Sequence, residues 1–151
     1  MILPAILVCL VLSVPDGDTL RARCDGIDKP ISIRITLMDA PEREHKALRI
    51  AEQPYGAEAQ AALQSLCYGK QAEVRPKAHD MYGRTLAAVS CGGVDVAEAQ
   101  IRAGLAWAYR PTRKSPLLAL QLQARAAGLG LWADPAPVPP WVWRKAGKSA
   151  K

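Results

Sequence analysis

The chain has 151 residues and a mass of 16.3 kDa, the length of one domain and enough to bury a core without relying on staples or a metal. Half of its residues are apolar and 23% are charged, which excludes disordered and fibrous classes, and beyond the N-terminus there is no apolar run of membrane-spanning length. Twenty Lys and Arg against 14 Asp and Glu leave a net charge of +6, which suits a polyanionic partner such as nucleic acid and equally serves as a solubility margin.

Ile2 to Leu12 (ILPAILVCLVL) has the length of a signal-peptide apolar run and is followed by the small residue Ser13, but no Lys or Arg precedes it. One reading is a leader over residues 1–13, which places the protein in the periplasm or outside the cell. The other is a buried first strand over Leu7 to Val14, compatible with the cytoplasm, and a short leader merging into that strand satisfies both. Thr19 to Cys24 alternates Leu20, Ala22 and Cys24 against Thr19, Arg21 and Arg23, the period of a strand with one wet face, and Asp25-Gly26 supplies the turn after it. Ile31 to Leu37 repeats the pattern, with Ile31, Ile33, Ile35 and Leu37 on one side and Ser32, Arg34 and Thr36 on the other.

The period then changes. Ala59, Ala62, Leu63 and Leu66 predict a helix from Ala57 to Leu66, stopped near Gly69. Gln71 to Arg75 and Thr85 to Cys91 are two further strands, the second closed by Gly92-Gly93, and Ala97 to Ala103 is a short helix ended by Gly104. Ser115 and Pro116 start a last helix with an apolar stripe of Leu117, Leu118, Leu120 and Leu122, ended by Gly128 and anchored by Trp132. Five short strands with three helices describe an α+β domain built on a small closed barrel, whereas the short links between the first strands exclude parallel crossovers. The domain occupies residues 14–133. Residues 134–151 form a tail with a stiff Pro135 to Pro140 stretch and a basic end carrying Trp141 and Trp143, which either wraps or frays, or adds a grip on a polyanion.

Cys9, Cys24, Cys67 and Cys91 have no CxxC spacing, which excludes a zinc finger. Loss of Cys9 with a leader leaves one disulfide and a free thiol; a cytosolic chain buries all four as small residues. The expected bridge is Cys67 with Cys91, one ending a helix and the other a strand.

Three polar clusters lie at strand ends: Asp16-Gly17-Asp18-Thr19; Arg34 with Asp39-Ala40-Pro41-Glu42; and Asp80-Met81-Tyr82-Gly83-Arg84. Alone, the first is a turn and each arginine a surface charge. Brought together, Asp16, Asp18, Asp39 and Glu42 repel one another unless a hard divalent cation, calcium or magnesium, sits among them, although the spacing is not that of an EF-hand. Two guanidiniums beside such a cation and a spare carboxylate are what phosphodiester hydrolysis requires. His45 and His79 are read as loop residues, and no GxSxG elbow supports a serine hydrolase.

These motifs resemble those of the staphylococcal nuclease, or thermonuclease, family: DGDT at Asp16 to Thr19, IRITLMDAPE at Ile33 to Glu42, PYGAEA at Pro54 to Ala59, DMYGRTLA at Asp80 to Ala87 and AGLAWAY at Ala103 to Tyr109. The five blocks occur in the family's order from about Val14 to Trp132. The resemblance implies an OB-fold five-stranded barrel with three helices and calcium-dependent cleavage of DNA and RNA. Position by position it implies Asp18, Asp39 and the carbonyl of Ala40 as calcium ligands, and Glu42 as the carboxylate that activates or orients water. Arg34 and Arg84 clamp the phosphate in that scheme, and Tyr82 and Tyr109 line the nucleotide pocket.

Ala40 stands where members often carry Thr, Met81 where they carry Lys, and Tyr109 is one residue off the best-known spacing. The insertion between Glu42 and Pro54 (REHKALRIAEQ) is basic and helical in flavour and is read as a substrate-facing loop. The competing reading is a noncatalytic OB-fold nucleic-acid-binding module. Retention of Asp18, Arg34, Asp39, Glu42 and Arg84 together speaks for catalysis. A monomer without stable membrane association is the default expectation.

Overall fold

The computed structural model of the chain describes residues 5–149. Strand β1 (Leu7–Asp16) turns at Gly17-Asp18 into β2 (Thr19–Cys24), and β2 pairs antiparallel with β3 (Ile31–Ile35). On its other edge β1 pairs antiparallel with β5 (Gln71–His79), which pairs with β6 (Thr85–Cys91). Parallel pairing of β6 with β3 closes the ring into a five-stranded barrel and removes both sheet edges. Two-residue β7 (Val94–Asp95) folds back to pair antiparallel with the end of β6, and β4 (Met38–Asp39) pairs with β8 (Trp107–Ala108) as a separate ribbon beside the barrel.

Alternation explains the barrel core. In β2, Leu20, Ala22 and Cys24 are buried and Arg21 and Arg23 exposed, while Ile33, Ile35, Val74 and Val89 fill the interior from the other strands. Helix α1 (Gly56–Cys67) covers one end of this core with Ala59 and Leu63, and α2 (Val96–Arg102) adds Val96 and Ile101. The Asp95 carboxylate accepts the Glu98 N–H as the N-cap of α2. Helix α3 (Pro116–Ala126) packs on α2, and a 3-10 turn at Gly130–Ala133 seats Trp132 with its ring 4.5 Å from Trp107. No helix among the described residues is long and apolar enough to cross a membrane.

Several expectations from the sequence are corrected. Strand β3 ends at Ile35, because Leu37 takes a left-handed φ of 68° that turns the chain into β4 and leaves its side chain 61% exposed. Strand β5 continues past Arg75 to His79 with a bulge around Pro76, whose missing N–H the irregular register accommodates. In α3 the Ser115 hydroxyl makes no cap bond, and Leu122 is exposed. Residues two apart point to opposite helix faces, so Leu122 does not share the face that buries Leu120. The 43–53 segment contains one 3-10 turn at Lys46–Leu48, closed by pairing of His45 with Ile50, and no α-helix.

The expected three helices are joined by a fourth, α4 (Pro140–Ser149), formed by the tail. Its proline stands at the first position, where a missing N–H costs nothing, and its two tryptophans find partners on the body of the protein.

Both pairs of cysteines are bridged. Cys67–Cys91 ties the end of α1 to the end of β6, as expected, and Cys9–Cys24 links directly opposed residues of β1 and β2, so neither an odd thiol nor four reduced cysteines is found. The bridges close loops with sequence separations of 15 and 24. Reduction of either is expected to cost about 3 kcal/mol of stability, measurable as a lower urea midpoint.

Glycine at position 17 is demanded by close approach: a Cβ there would lie 2.5 Å from the Ala59 Cβ and 2.9 Å from the Ala40 Cβ. The β1–β2 turn therefore seats directly on α1 and on the segment after β4. Gly17→Ala is expected to destabilise the fold by about 1–3 kcal/mol through overpacking, read by urea denaturation.

Candidate active site

The β1–β2 turn, the end of β3 and the chain leaving β4 meet at one end of the barrel. Asp18, in the turn, accepts the Ala40 N–H at 2.9 Å on one carboxylate oxygen and the Thr19 hydroxyl at 3.2 Å on the other. Its own carbonyl accepts the Ile35 N–H, which fixes the turn against the end of β3. Asp39 is wholly buried in β4. Between the two carboxylates lies Arg34: its Nη2 donates to Asp39 Oδ1 at 3.2 Å and stands 3.2 Å from Asp18 Oδ2. Its Nη1 donates to the carbonyls of Ile35 and Met38, so the planar fork is held from both sides. The Arg34 side chain is only 16% exposed, so what alternation marks as the wet face of β3 is largely covered here.

Glu42 is positioned through its backbone. Its N–H donates to Gln53 Oε1 at 3.0 Å, its carbonyl accepts the Gln53 N–H at 2.8 Å, and Gly56, at the start of α1, presses against that carbonyl. Its side chain meets a partner that no sequence motif marks. Arg144 of α4 donates from Nη1 to Glu42 Oε1 at 2.5 Å and to Asp39 Oδ1 at 3.1 Å, and from Nη2 to Asp39 Oδ2 at 2.8 Å. Three carboxylates thus face two guanidiniums, with Asp16 immediately behind.

Charge crowding shifts these groups in different directions. Burial, then the neighbouring Asp18 charge, pushes Asp16 well above the ordinary carboxylate range. Burial alone would raise Asp18 too, but Arg34 and three kinds of hydrogen-bond donor hold it below its usual value. Asp39 and Glu42 are raised by burial, with Arg144 opposing in both cases. Both arginines are held more firmly protonated than usual: burial works against them and the carboxylates prevail.

The Asp80 loop forms a second cluster. Asp80 accepts the N–H groups of Tyr82 and Arg84, both at 2.9 Å, and the Arg84 Nε at 2.7 Å, which keeps its carboxyl below the usual range against slight burial. Arg84 is therefore ion-paired within its own loop, two residues before Leu86, the rung partner of Arg34. Tyr82 is exposed with Arg84 over its ring. Tyr109 follows β8 and has its ring centre 5.9 Å from that of Trp141. His79 ends β5 opposite Thr85, and His45 sits in the 43–53 hairpin.

Among the described residues no three His, Cys, Asp or Glu side chains form a ready-made metal cage. The donor set is nonetheless all oxygen, the chemistry that hard cations prefer. Asp39 and Glu42 also already hold a cationic group, the Arg144 guanidinium, so a positive charge is accommodated between them.

The family profile described as staphylococcal nuclease homologue matches residues 32–134. An uncharacterized endonuclease of Haemophilus influenzae is 36% identical over 141 residues, covering 93% of this chain and 74% of its own length. An uncharacterized endonuclease of Escherichia coli O157:H7 is 38% identical over 136 residues, 89% of this chain and 82% of its own. The micrococcal nuclease of Shigella flexneri is 32% identical over 152 residues, 93% and 82% respectively.

Replacing Arg34 with Met would leave Asp18 and Asp39 buried without their shared counter-charge, and is expected to cost about 3–5 kcal/mol in urea denaturation. Arg34→Lys keeps the charge but loses the fork, and should recover only part of that stability.

Proposed function

The chain belongs to the staphylococcal nuclease family, and on that premise we propose that it is a calcium-dependent nuclease hydrolysing DNA and RNA phosphodiester bonds with little sequence preference. The observation that carries this reading is the convergence of Asp18, Arg34, Asp39 and Glu42 at one end of the barrel, each from a different turn or strand end. Asp18, Asp39 and the carbonyl of Ala40 would hold the calcium ion, whose charge, when bound, would polarise a phosphoryl oxygen and ease deprotonation of water.

The chain's own groups supply the rest. Glu42 orients the attacking water and takes its proton. Arg34, fixed between Asp18 and Asp39, contributes its positive charge as charge builds on the nonbridging oxygens, and Arg84, paired with Asp80 through its Nε, supplies the second guanidinium from its own loop. Tyr82 and Tyr109 flank the nucleotide. Such contacts address phosphates and generic base faces rather than base edges, which is the basis for weak sequence preference. We also place the protein in the periplasm or outside the cell, a reading supported by its two disulfides, which persist in oxidising compartments.

Digestion of DNA and of RNA with calcium, with magnesium and with a chelator tests the assignment. Activity with calcium that disappears on chelation is expected, and turnover undiminished by chelator would reject it. Glu42→Gln should lower turnover about 100- to 1,000-fold, the usual loss for one group stabilising the transition state, with the fold retained by circular dichroism.

A further inference from the structure

The arm after residue 133 is packed across the site. The Gln53 side-chain amide donates to the Val138 carbonyl at 2.6 Å, and the Trp143 indole N–H donates to the Ala51 carbonyl at 2.9 Å. The Trp141 ring lies edge-on to Trp107 at 5.8 Å and tilted against Tyr109 at 5.9 Å. Trp143 also lines a recess with Pro41, Tyr55, Trp107 and Leu131. These attachments bring Arg144 onto both oxygens of Asp39 and onto Glu42, residues 105 and 102 positions earlier in the chain.

We propose that this arm is a self-inhibitory clasp, in which the Arg144 guanidinium takes the place of the divalent cation and α4 must lift from the barrel before the site loads. The proposal rests on the cation site assigned above. Both Asp39 oxygens and one Glu42 oxygen are engaged by Arg144, so a metal ligand and the water-activating carboxylate are withdrawn together. A single guanidinium charge competes with a doubly charged ion for the same oxygens, so the closed state yields as the cation concentration rises.

The clasp is built to release as a unit. Helix α4 has ten residues, fewer than a free helix needs in water, so its helical form depends on docking. Trp141 and Trp143 are half-buried rather than part of the barrel core. Gln53 couples the arm to the chemistry, because the side chain that holds Val138 through its amide holds the Glu42 N–H through its carbonyl oxygen.

The test is calorimetric titration of calcium, without nucleic acid, into the unaltered protein, Arg144→Gln and Trp143→Ala. The first variant removes the competing charge, and the second keeps it but loosens the arm. A closed state outweighing the open one tenfold predicts calcium binding about tenfold tighter in both variants. In the unaltered protein, saturating calcium should also shift tryptophan emission to the red as Trp141 leaves Trp107 and Trp143 leaves the Ala51 carbonyl.

Equal affinity in all three proteins, or weaker binding by Arg144→Gln, would overturn the clasp while leaving the cation site standing. Tighter binding by Arg144→Gln alone would reduce Arg144 to a local charge and overturn it as well. Binding by none of the three would remove the cation site and the clasp together. Circular dichroism of each variant separates these outcomes from misfolding.

Discussion

One guanidinium between two buried carboxylates organises this end of the molecule. Asp18 comes from a hairpin turn and Asp39 from a separate ribbon, and only Arg34, on the strand between them, touches both. Two like charges buried a few ångströms apart are prohibitively costly without a partner, and a flexible or distant cation would not specify their geometry. Arg34 is neither: its second amino group is tied to two carbonyls of its own turn, so the carboxylates are held in place by a rigid plate. Burial of Asp39, the depressed proton affinity of Asp18 and the seating of Ala40 against Asp18 all follow from that arrangement.

Much of the barrel was legible in the chain because its strands are wet on one face. Leu20, Ala22 and Cys24 alternate with polar residues, and β2 and β6 run over the residues that the pattern picks out. Alternation tells which side a residue faces but not what will cover that side. Arg34 does lie opposite the isoleucines, yet no local pattern announces that it is largely shielded from water. Leu37 and Leu122 depart from the pattern for the complementary reason: apolar identity continues past a left-handed turn in one case and across a helix face in the other.

The acidic part of the site was likewise readable, since Asp18, Asp39 and Glu42 lie in short motifs at strand ends. Asp16 belongs to that acidic group by sequence, and in the fold it lies half-buried beside Asp18, whose N–H its carboxylate accepts. The Asp80 to Arg84 pairing lies within five consecutive residues, so a local signal for it existed. Arg144 is different in kind. It belongs to a tail whose composition suggests wrapping, fraying or a grip on a polyanion but no particular partner, and its partners are separated from it by almost the whole domain. Long-range ion pairs leave no periodicity for a single sequence to display, and the helix carrying this one is shaped by the surface on which it rests.

The Cys9–Cys24 bond joins the ends of β1 and β2 farthest from Asp18. A one-residue slip between two such strands would exchange their inner and outer faces, putting Leu20 and Ala22 into water and swinging Asp18 off the Arg34 plate. The bond acts as an indexing pin that forbids that slip. Oxidation at one extremity of the ribbon thereby sets the alignment of an acid at the other, and the accuracy of the reactive end is written into the chain when its thiols are joined.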